Sequence, residues 1–190
     1  MTTAVSICSN ALLMLGAKPI SEFNEANDRT TLAANLFPMV RDDILRSHPW
    51  NCAIKRKNLA PMTEAPEFDY SAKFLLPPDW LRTLSVGEYG QEIDYRHEGR
   101  TILADASVLP LRYVFRNEDV ATWDVMLIDM VTVAMAERMA YPITQSSSLA
   151  DSMRQRLEMM AKRARAVDGQ DDPPEMLGDE RLLSARMGGR

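Results

Sequence analysis

The sequence predicts an α+β fold: a four-helix bundle, built from two N-terminal and two C-terminal helices, with a small antiparallel β-sheet insert and a flexible C-terminal tail. Three observations lead there. Apolar residues recur every three or four positions toward both ends, the middle changes to short alternating runs broken by Pro and Gly, and the last residues turn abruptly acidic. The predicted arrangement is one domain over residues 1–168, with helices at 3–16, 28–48, 119–140 and 147–167, a β-rich insert at 50–116, and a partner-binding tail at 169–190.

In residues 3–16, Ile7, Cys8, Ala11, Leu12 and Leu15 form an apolar stripe, Thr2 or Thr3 can cap the start, and Gly16 supplies the stop. Leu13 and Met14 widen that stripe beyond one core contact, which predicts a second packing surface. The second helix follows Asn27-Asp28, with Leu32, Leu36, Val40 and Ile44 four apart. Pro38 interrupts it and predicts a kink or two consecutive helices. Pro49 ends the pattern.

Strands are expected at 51–59, 80–86, 92–97, 100–104 and 110–116. The clearest hairpin turns at Glu98-Gly99, and Leu111, Tyr113 and Phe115 are expected inward while Arg112, Val114 and Arg116 face mostly solvent. Helical periodicity returns after Asp119, a candidate N-cap, and should stop before Tyr141-Pro142. Apolar residues surround this helix, which predicts the buried centre of the bundle, with the helices closing on one another across the insert. In the last helix Met153, Leu157, Met160, Ala161, Ala164 and Val167 form a seam. Arg154, Arg156, Lys162, Arg163 and Arg165 outnumber Glu158 on its other sides and form a candidate basic interface. After Val167 the run Asp168-Gly169-Gln170-Asp171-Asp172-Pro173-Pro174 is expected to break the helix.

Composition narrows the function classes. The 190 residues are 46% hydrophobic and 26% charged, with a formal net charge of −5, which suits a globular chain and indicates neither disorder nor a membrane protein. Mild acidity argues against a general trap for nucleic acid but leaves a local basic stripe open. The first basic residue is Lys18, and Ser6, Ser9 and Asn10 interrupt the early apolar stretch, so no secretory signal is read and a cytoplasmic setting is expected. The most apolar stretch, 123–140, carries Asp124, Asp129, Glu137 and Arg138, so no membrane span is expected. Cys8 and Cys52 lack metal-ligand spacing and read as buried thiols.

Reactive constellations are not legible. There is no Gly-x-x-x-x-Gly-Lys phosphate loop, Gly-x-Gly-x-x-Gly or Gly-x-Ser-x-Gly, and His48 and His97 have no pattern that brings them together. No enzymatic activity, metal or cofactor is therefore expected. Asp42-Asp43, flanked by Arg41 and Arg46, reads as a solvated charged helix face rather than a catalytic carboxylate pair. The thirteen methionines fall mostly on helix seams and read as core packing.

One set of motifs points further. The block 40–53, with Pro49-Trp50-Asn51-Cys52-Ala53 at its end, resembles the tail tubular protein A family, the head-to-tail connectors or adaptors of short-tailed bacteriophages and prophages. The blocks Leu76-Pro77-Pro78-Asp79-Trp80-Leu81-Arg82, Glu98-Gly99-Arg100-Thr101-Ile102-Leu103-Ala104-Asp105 and Leu111-Arg112-Tyr113, then Trp123, follow in the family's order. The resemblance covers about residues 3–165; Cys52 departs from it, standing where an aromatic is usual.

The physics gives the shared residues scaffold roles: Pro49 and Trp50 at the exit from the second helix, Asp79 in the Pro77-Pro78 turn where it could accept backbone N–H bonds, Gly99 in the hairpin, with Arg82 and Arg100 beside them. The resemblance implies a virion structural protein: a homo-oligomeric ring, a dodecamer in that family, between the portal protein and a nozzle similar to tail tubular protein B. DNA would pass through without specific binding during ejection. The implied location is the head–tail junction of a virion assembled in the bacterial host cytoplasm. Leu177, Leu182, Leu183 and Met187 are the candidate portal-docking residues of the tail. The alternative is a small acidic helical protein, a packaging or regulatory factor, that binds nucleic acid through the basic last helix.

Overall fold

A computed structural model describes residues 2–88 and 90–171 of the chain, with side chains as far as Ala164. These residues form four helices, α1 (Ala4–Met14), α2 (Asp28–Ser47), α3 (Val125–Thr144) and α4 (Ser147–Asp171), and seven strands. These are β1 (Ile54–Leu59), β2 (Ala72–Leu75), β3 (Trp80–Glu88), β4 (Gln91–Glu92), β5 (Tyr95–Glu98), β6 (Thr101–Ala104) and β7 (Leu109–Phe115).

The α+β content is as expected, but the fold is not a four-helix bundle. The strands form two antiparallel sheets, a four-stranded one in the order β1-β7-β3-β4 and a three-stranded one in the order β2-β6-β5. A bundle requires each helix to contact its neighbours around a shared axis. Here α3 is the hub on which α1, α2 and α4 each pack, while α1 and α2 scarcely touch. The helices therefore form a layer around one buried helix, and that layer meets the four-stranded sheet through α2.

Helix boundaries follow local chemistry. Thr3 and Ser6 cap α1 reciprocally: Thr3 Oγ1 accepts from Ser6 N at 3.1 Å and Ser6 Oγ from Thr3 N at 2.9 Å. Its end is a Schellman turn, with Gly16 at φ +71° and Ala17 N donating to Leu12 O. Asn27 caps α2, accepting from Thr30 N at 2.9 Å. Of the two outcomes expected at Pro38, consecutive helices are excluded: α2 is continuous from Asp28 to Ser47, with Pro38 on its exposed side.

The expected helix 119–140 is displaced at both ends. Asp119 caps a single 3-10 turn, Val120–Thr122, and Asp124 caps α3 by accepting from Leu127 N at 2.8 Å. At the other end the helix continues past Tyr141-Pro142 to Thr144, because a proline in the last turn removes one bond while Thr144 Oγ1 and Gln145 N bind the carbonyls of Ala140 and Tyr141. Likewise α4 runs through Asp168-Gly169 to Asp171 instead of stopping at Val167.

Sheet details also depart from expectation. Residues Asn51–Ala53 are a 3-10 turn rather than the start of a strand, and β2 and β4 were not anticipated. The β5–β6 hairpin has a two-residue loop, Gly99-Arg100, between the paired residues Glu98 and Thr101. Gly99 has φ +59° and Arg100 does not have positive φ, the signs of a II′ turn whose first position favours Gly.

Most consequential is β7. Tyr113 and Leu111 pack with Leu59, Phe74, Val86 and Ile102 in a core between the two sheets, whereas Val114 packs in the helical core with Ala53, Leu81 and Leu127. Val114 is fully buried, so the face expected toward solvent is covered, and the four-stranded sheet is a middle layer with apolar material on both sides.

Candidate functional site

The positions singled out by sequence are joints between layers. Trp50, 2% exposed, sits where α2 hands over to β1, and its Nε1 donates to Ile44 O at 3.1 Å. This adds a second hydrogen bond to a carbonyl in the last turn of α2 that also accepts from Ser47 Oγ at 2.7 Å, while the indole fills the helical core. Pro49 sets the exit, with His48 as C-cap and its imidazole edge-on to Trp50 at 5.0 Å.

Asp79 does a different job from the one expected. Its carboxylate accepts from Lys55 Nζ on β1 at 2.8 Å and from the Tyr113 hydroxyl on β7 at 3.1 Å, while its carbonyl accepts from Arg116 N at 2.7 Å. Burial raises the carboxyl, but the Lys55 charge and hydrogen bond and the Tyr113 hydroxyl outweigh it and hold Asp79 below its ordinary value. Burial, together with the facing Asp79, pushes the Tyr113 phenol up to about 12. Lys55 also lies over the Phe115 ring at 3.7 Å, so one turn residue gathers three strands.

The remaining motif residues are similarly occupied. An Arg100 guanidinium nitrogen donates to Pro77 O at 2.7 Å, fixing the hairpin to the turn before β3. Arg46 donates to Leu81 O, and its guanidinium lies 6.0 Å from the Trp80 ring centroid. Trp80 and Tyr95 flank His97 at 5.6 and 5.5 Å, and burial lowers the His97 pKa. Arg82 is half-buried on β3.

Asp42 and Arg41 correct the reading of a solvated helix face. Arg41 is 8% exposed and donates from Nε to Asp42 Oδ1 at 2.8 Å; Arg116 donates to Asp42 Oδ2 at 2.7 Å. Asp43 remains exposed and meets Arg138 of α3 at 3.7 Å. Nothing in the pattern of neighbouring charges signals this, since Arg116 lies 74 positions away. The cysteines also differ from each other: Cys8 is buried, which pushes its thiol up to about 12, but Cys52 is only half-buried.

The basic interface on α4 is partly consumed. Arg154 pairs with Glu137 at 3.5 Å and Asp151 at 3.8 Å, leaving Arg156, Lys162 and Arg163 exposed. The Arg165 side chain and the tail residues Leu177, Leu182, Leu183 and Met187 lie outside the described residues. Of the methionines, Met130, Met135, Met139 and Met153 are core, while Met39 and Met159 stand about two-thirds exposed.

One open cleft of about 420 Å³ lies between the end of α1, the start of α2 and the end of α3, lined by Leu15, Ala17, Asp28, Arg29, Pro142 and Ile143. Its lining combines one acid, one base, the Thr144 side chain and aliphatic groups. Among the described residues no group of three or more His, Cys, Asp or Glu is placed to hold a metal ion, and no helix is long and apolar enough to cross a membrane.

The geometry thus defines layer joints and exposed faces. No known protein family and no curated protein matches the chain.

Proposed function

We propose that the chain is a structural head-to-tail adaptor of a bacteriophage virion, a ring-forming subunit seated between portal and tail nozzle with DNA passing through the centre. One observation carries the reading: the blocks that resemble tail tubular protein A fall on the joints of the fold. Pro49-Trp50 closes α2 onto β1, Asp79 gathers β1, β3 and β7, and Gly99-Arg100 ties the second sheet to the turn before β3. Residues with such roles hold the shape of a part that must fit its neighbours, and they are the ones an ordered resemblance would retain.

The outer side of α1 suits a subunit contact. Leu13 is 54% and Met14 37% exposed, beside the fully buried Leu12. A ring needs two different complementary patches per subunit, and an apolar strip on one helix can serve as one of them. By contrast α3 packs its apolar girth inward, leaving exposed only Val125 and Tyr141 among its large hydrophobics.

The test is to mix the purified chain with DNA-filled, tailless phage capsids and image them. Rings of the chain on the portal vertex are the expected outcome. A small oligomer that ignores portals and binds duplex DNA with steep salt dependence overturns the adaptor and supports nucleic-acid binding through α4.

A further inference from the structure

The four-stranded sheet ends in two edges of opposite charge. In the order β1-β7-β3-β4 its outer strands are β1 and β4, and among the described residues no strand pairs with the far side of either. Residues 54–59 hold three bases and no acid, whereas residues 86–95 hold three acids and no base. Lys55 is engaged by Asp79, while Arg56 and Lys57 stand exposed, as do Glu88, Glu92 and Asp94 at the other edge. The Tyr70 hydroxyl holds Asp94 in place by donating to its Oδ2 at 3.2 Å.

Both edges turn their backbone outward, and in matching register. Pro110 of β7 has no N–H to give to its partner Asn58, so the bonded pairs lie on either side of it, at Lys57–Leu111 and Leu59–Leu109. The alternate residues Arg56 and Asn58 therefore direct their N–H and C=O groups away from β7. At the other edge Ile93 N donates to Val86 O at 3.2 Å, which leaves the flanking Glu92 and Asp94 directed away from β3. One row crosses the whole sheet, from Lys57 to Leu111 to Val86 to Ile93, so the outward residues flank the same row at both edges. Every pairing in the sheet is antiparallel, so β1 and β4 run in opposite directions. A second copy laid with its β4 against β1, one strand spacing of about 4.8 Å away, continues the sheet in the same antiparallel order. Kept on the same row, Arg56 meets Asp94 of that copy and Asn58 meets its Glu92.

We propose that β1 of one copy takes β4 of the next as its outer neighbour, an edge-to-edge contact repeated head to tail. Opposite charges directly across antiparallel strands stabilise the pair and like charges destabilise it, so β1 repels a second β1 and β4 a second β4. The charges that guard each edge against its own kind thus select its complement, and the contact joins two different patches. Such a contact closes into a ring where the rotation per copy closes the circle, and otherwise runs on as a filament. Closure into a ring rests on the adaptor reading, whereas the contact itself rests on the sheet alone.

The experiment uses the full chain, both in concentrated solution and on DNA-filled, tailless capsids. A photo-crosslinking residue replaces Asn58 in a mixture of isotopically light and heavy protein. Crosslinks from position 58 to residues 90–94 that join light chains to heavy ones are expected. R56E/K57E and E92K/D94K should each weaken self-association by about tenfold, read by sedimentation. Mixed in equal amounts they should regain it, because each reversed edge then meets a reversed partner in an alternating array, an effect that misfolding of either variant would not produce. Crosslinks to residues 54–59 of a second chain, no crosslinks to 90–94 in either setting, or variants that associate as well as wild type each overturn the contact. If wild-type rings still sit on the capsids, the adaptor reading survives that failure and the ring is closed elsewhere. Crosslinks to 90–94 between chains that ignore capsids keep the contact and remove the adaptor.

Discussion

Arg116 Nε donates to Asp42 Oδ2 at 2.7 Å, tying the residue after β7 to the C-terminal half of α2. The other oxygen of Asp42 accepts from the buried Arg41, whose second contact is the exposed Glu118 at 3.1 Å. One carboxylate thus serves two guanidiniums at the seam between the helical layer and the middle sheet. Removing it leaves the buried Arg41 with only the exposed Glu118, whereas removing Arg116 leaves Asp42 still paired. Asp42→Ala should lower stability by about 2 kcal/mol and Arg116→Ala by about 1 kcal/mol in urea unfolding. The double variant should lose less than the two combined; strict additivity would refute the shared pair.

Trp50 joins the same two layers through apolar contact. It is among the largest fully buried side chains, and its indole N–H shares the Ile44 carbonyl with the Ser47 hydroxyl. Trp50→Ala should cost about 4 kcal/mol from the cavity and lost transfer energy. Trp50→Phe keeps most of the apolar contact but leaves the carbonyl to Ser47 Oγ alone, and should cost about 0.5 kcal/mol beyond the difference in ring size. Equal melting temperatures for wild type and Trp50→Phe would show that the indole bond adds nothing to the one from Ser47.

Much of this arrangement was legible because it is local. Thr3, Asn27, Gly16, Pro49 and the Gly99 hairpin act over a few residues, and their chemistry can be read in order along the chain. What sequence misses is set by distant partners. Val114 alternates like a half-exposed strand residue, yet it is buried in the helical core; Asp42 lies among compensating charges, yet it also pairs with the distant Arg116. The bundle failed for the same reason: helical period says which stripe is apolar, but does not say that α1, α2 and α4 all choose α3. At the candidate site, the motif residues were legible as scaffold, while Lys55 and Tyr113 were not, because they reach Asp79 from 24 and 34 positions away.

Three titratable groups predict how stability varies with pH. Asp79 has a folded pKa below its ordinary 3.8, so its contribution is present above about pH 4 and is lost as the pH falls through the folded value. Burial lowers His97 from 6.5, so the unfolded chain takes up that proton first, and stability declines as the pH falls below about 6.5. Tyr113 is raised from 10.0 to about 12, so its contribution holds below about pH 10 and is lost as pH rises through 12. Urea unfolding from pH 8 to 5 should show declining stability in wild type and a flatter profile in His97→Gln. An unchanged slope would mean another group titrates there. Between pH 5 and 3, Lys55→Met should remove part of the acid loss by deleting the charge that lowers Asp79.

Leu12 and Leu13 are adjacent and predict opposite phenotypes. Leu12 is fully buried in the helical core on α1, while Leu13 is 54% exposed on the other side of the same helix. A charge at position 12 would be forced into an apolar interior, so Leu12→Glu should destabilise by several kcal/mol or prevent folding. At position 13 the carboxylate stays in water, and Leu13→Glu should change stability by no more than about 0.5 kcal/mol. If the exposed strip of α1 is a subunit contact, Leu13→Glu will nevertheless abolish ring formation, because the charge would be desolvated only on association. Unfolding curves and mass measurement of the assembled species, made on the same preparation, separate the two effects. A Leu13→Glu protein that folds normally and still forms rings would remove α1 from the interface and leave the ring to be closed by another face.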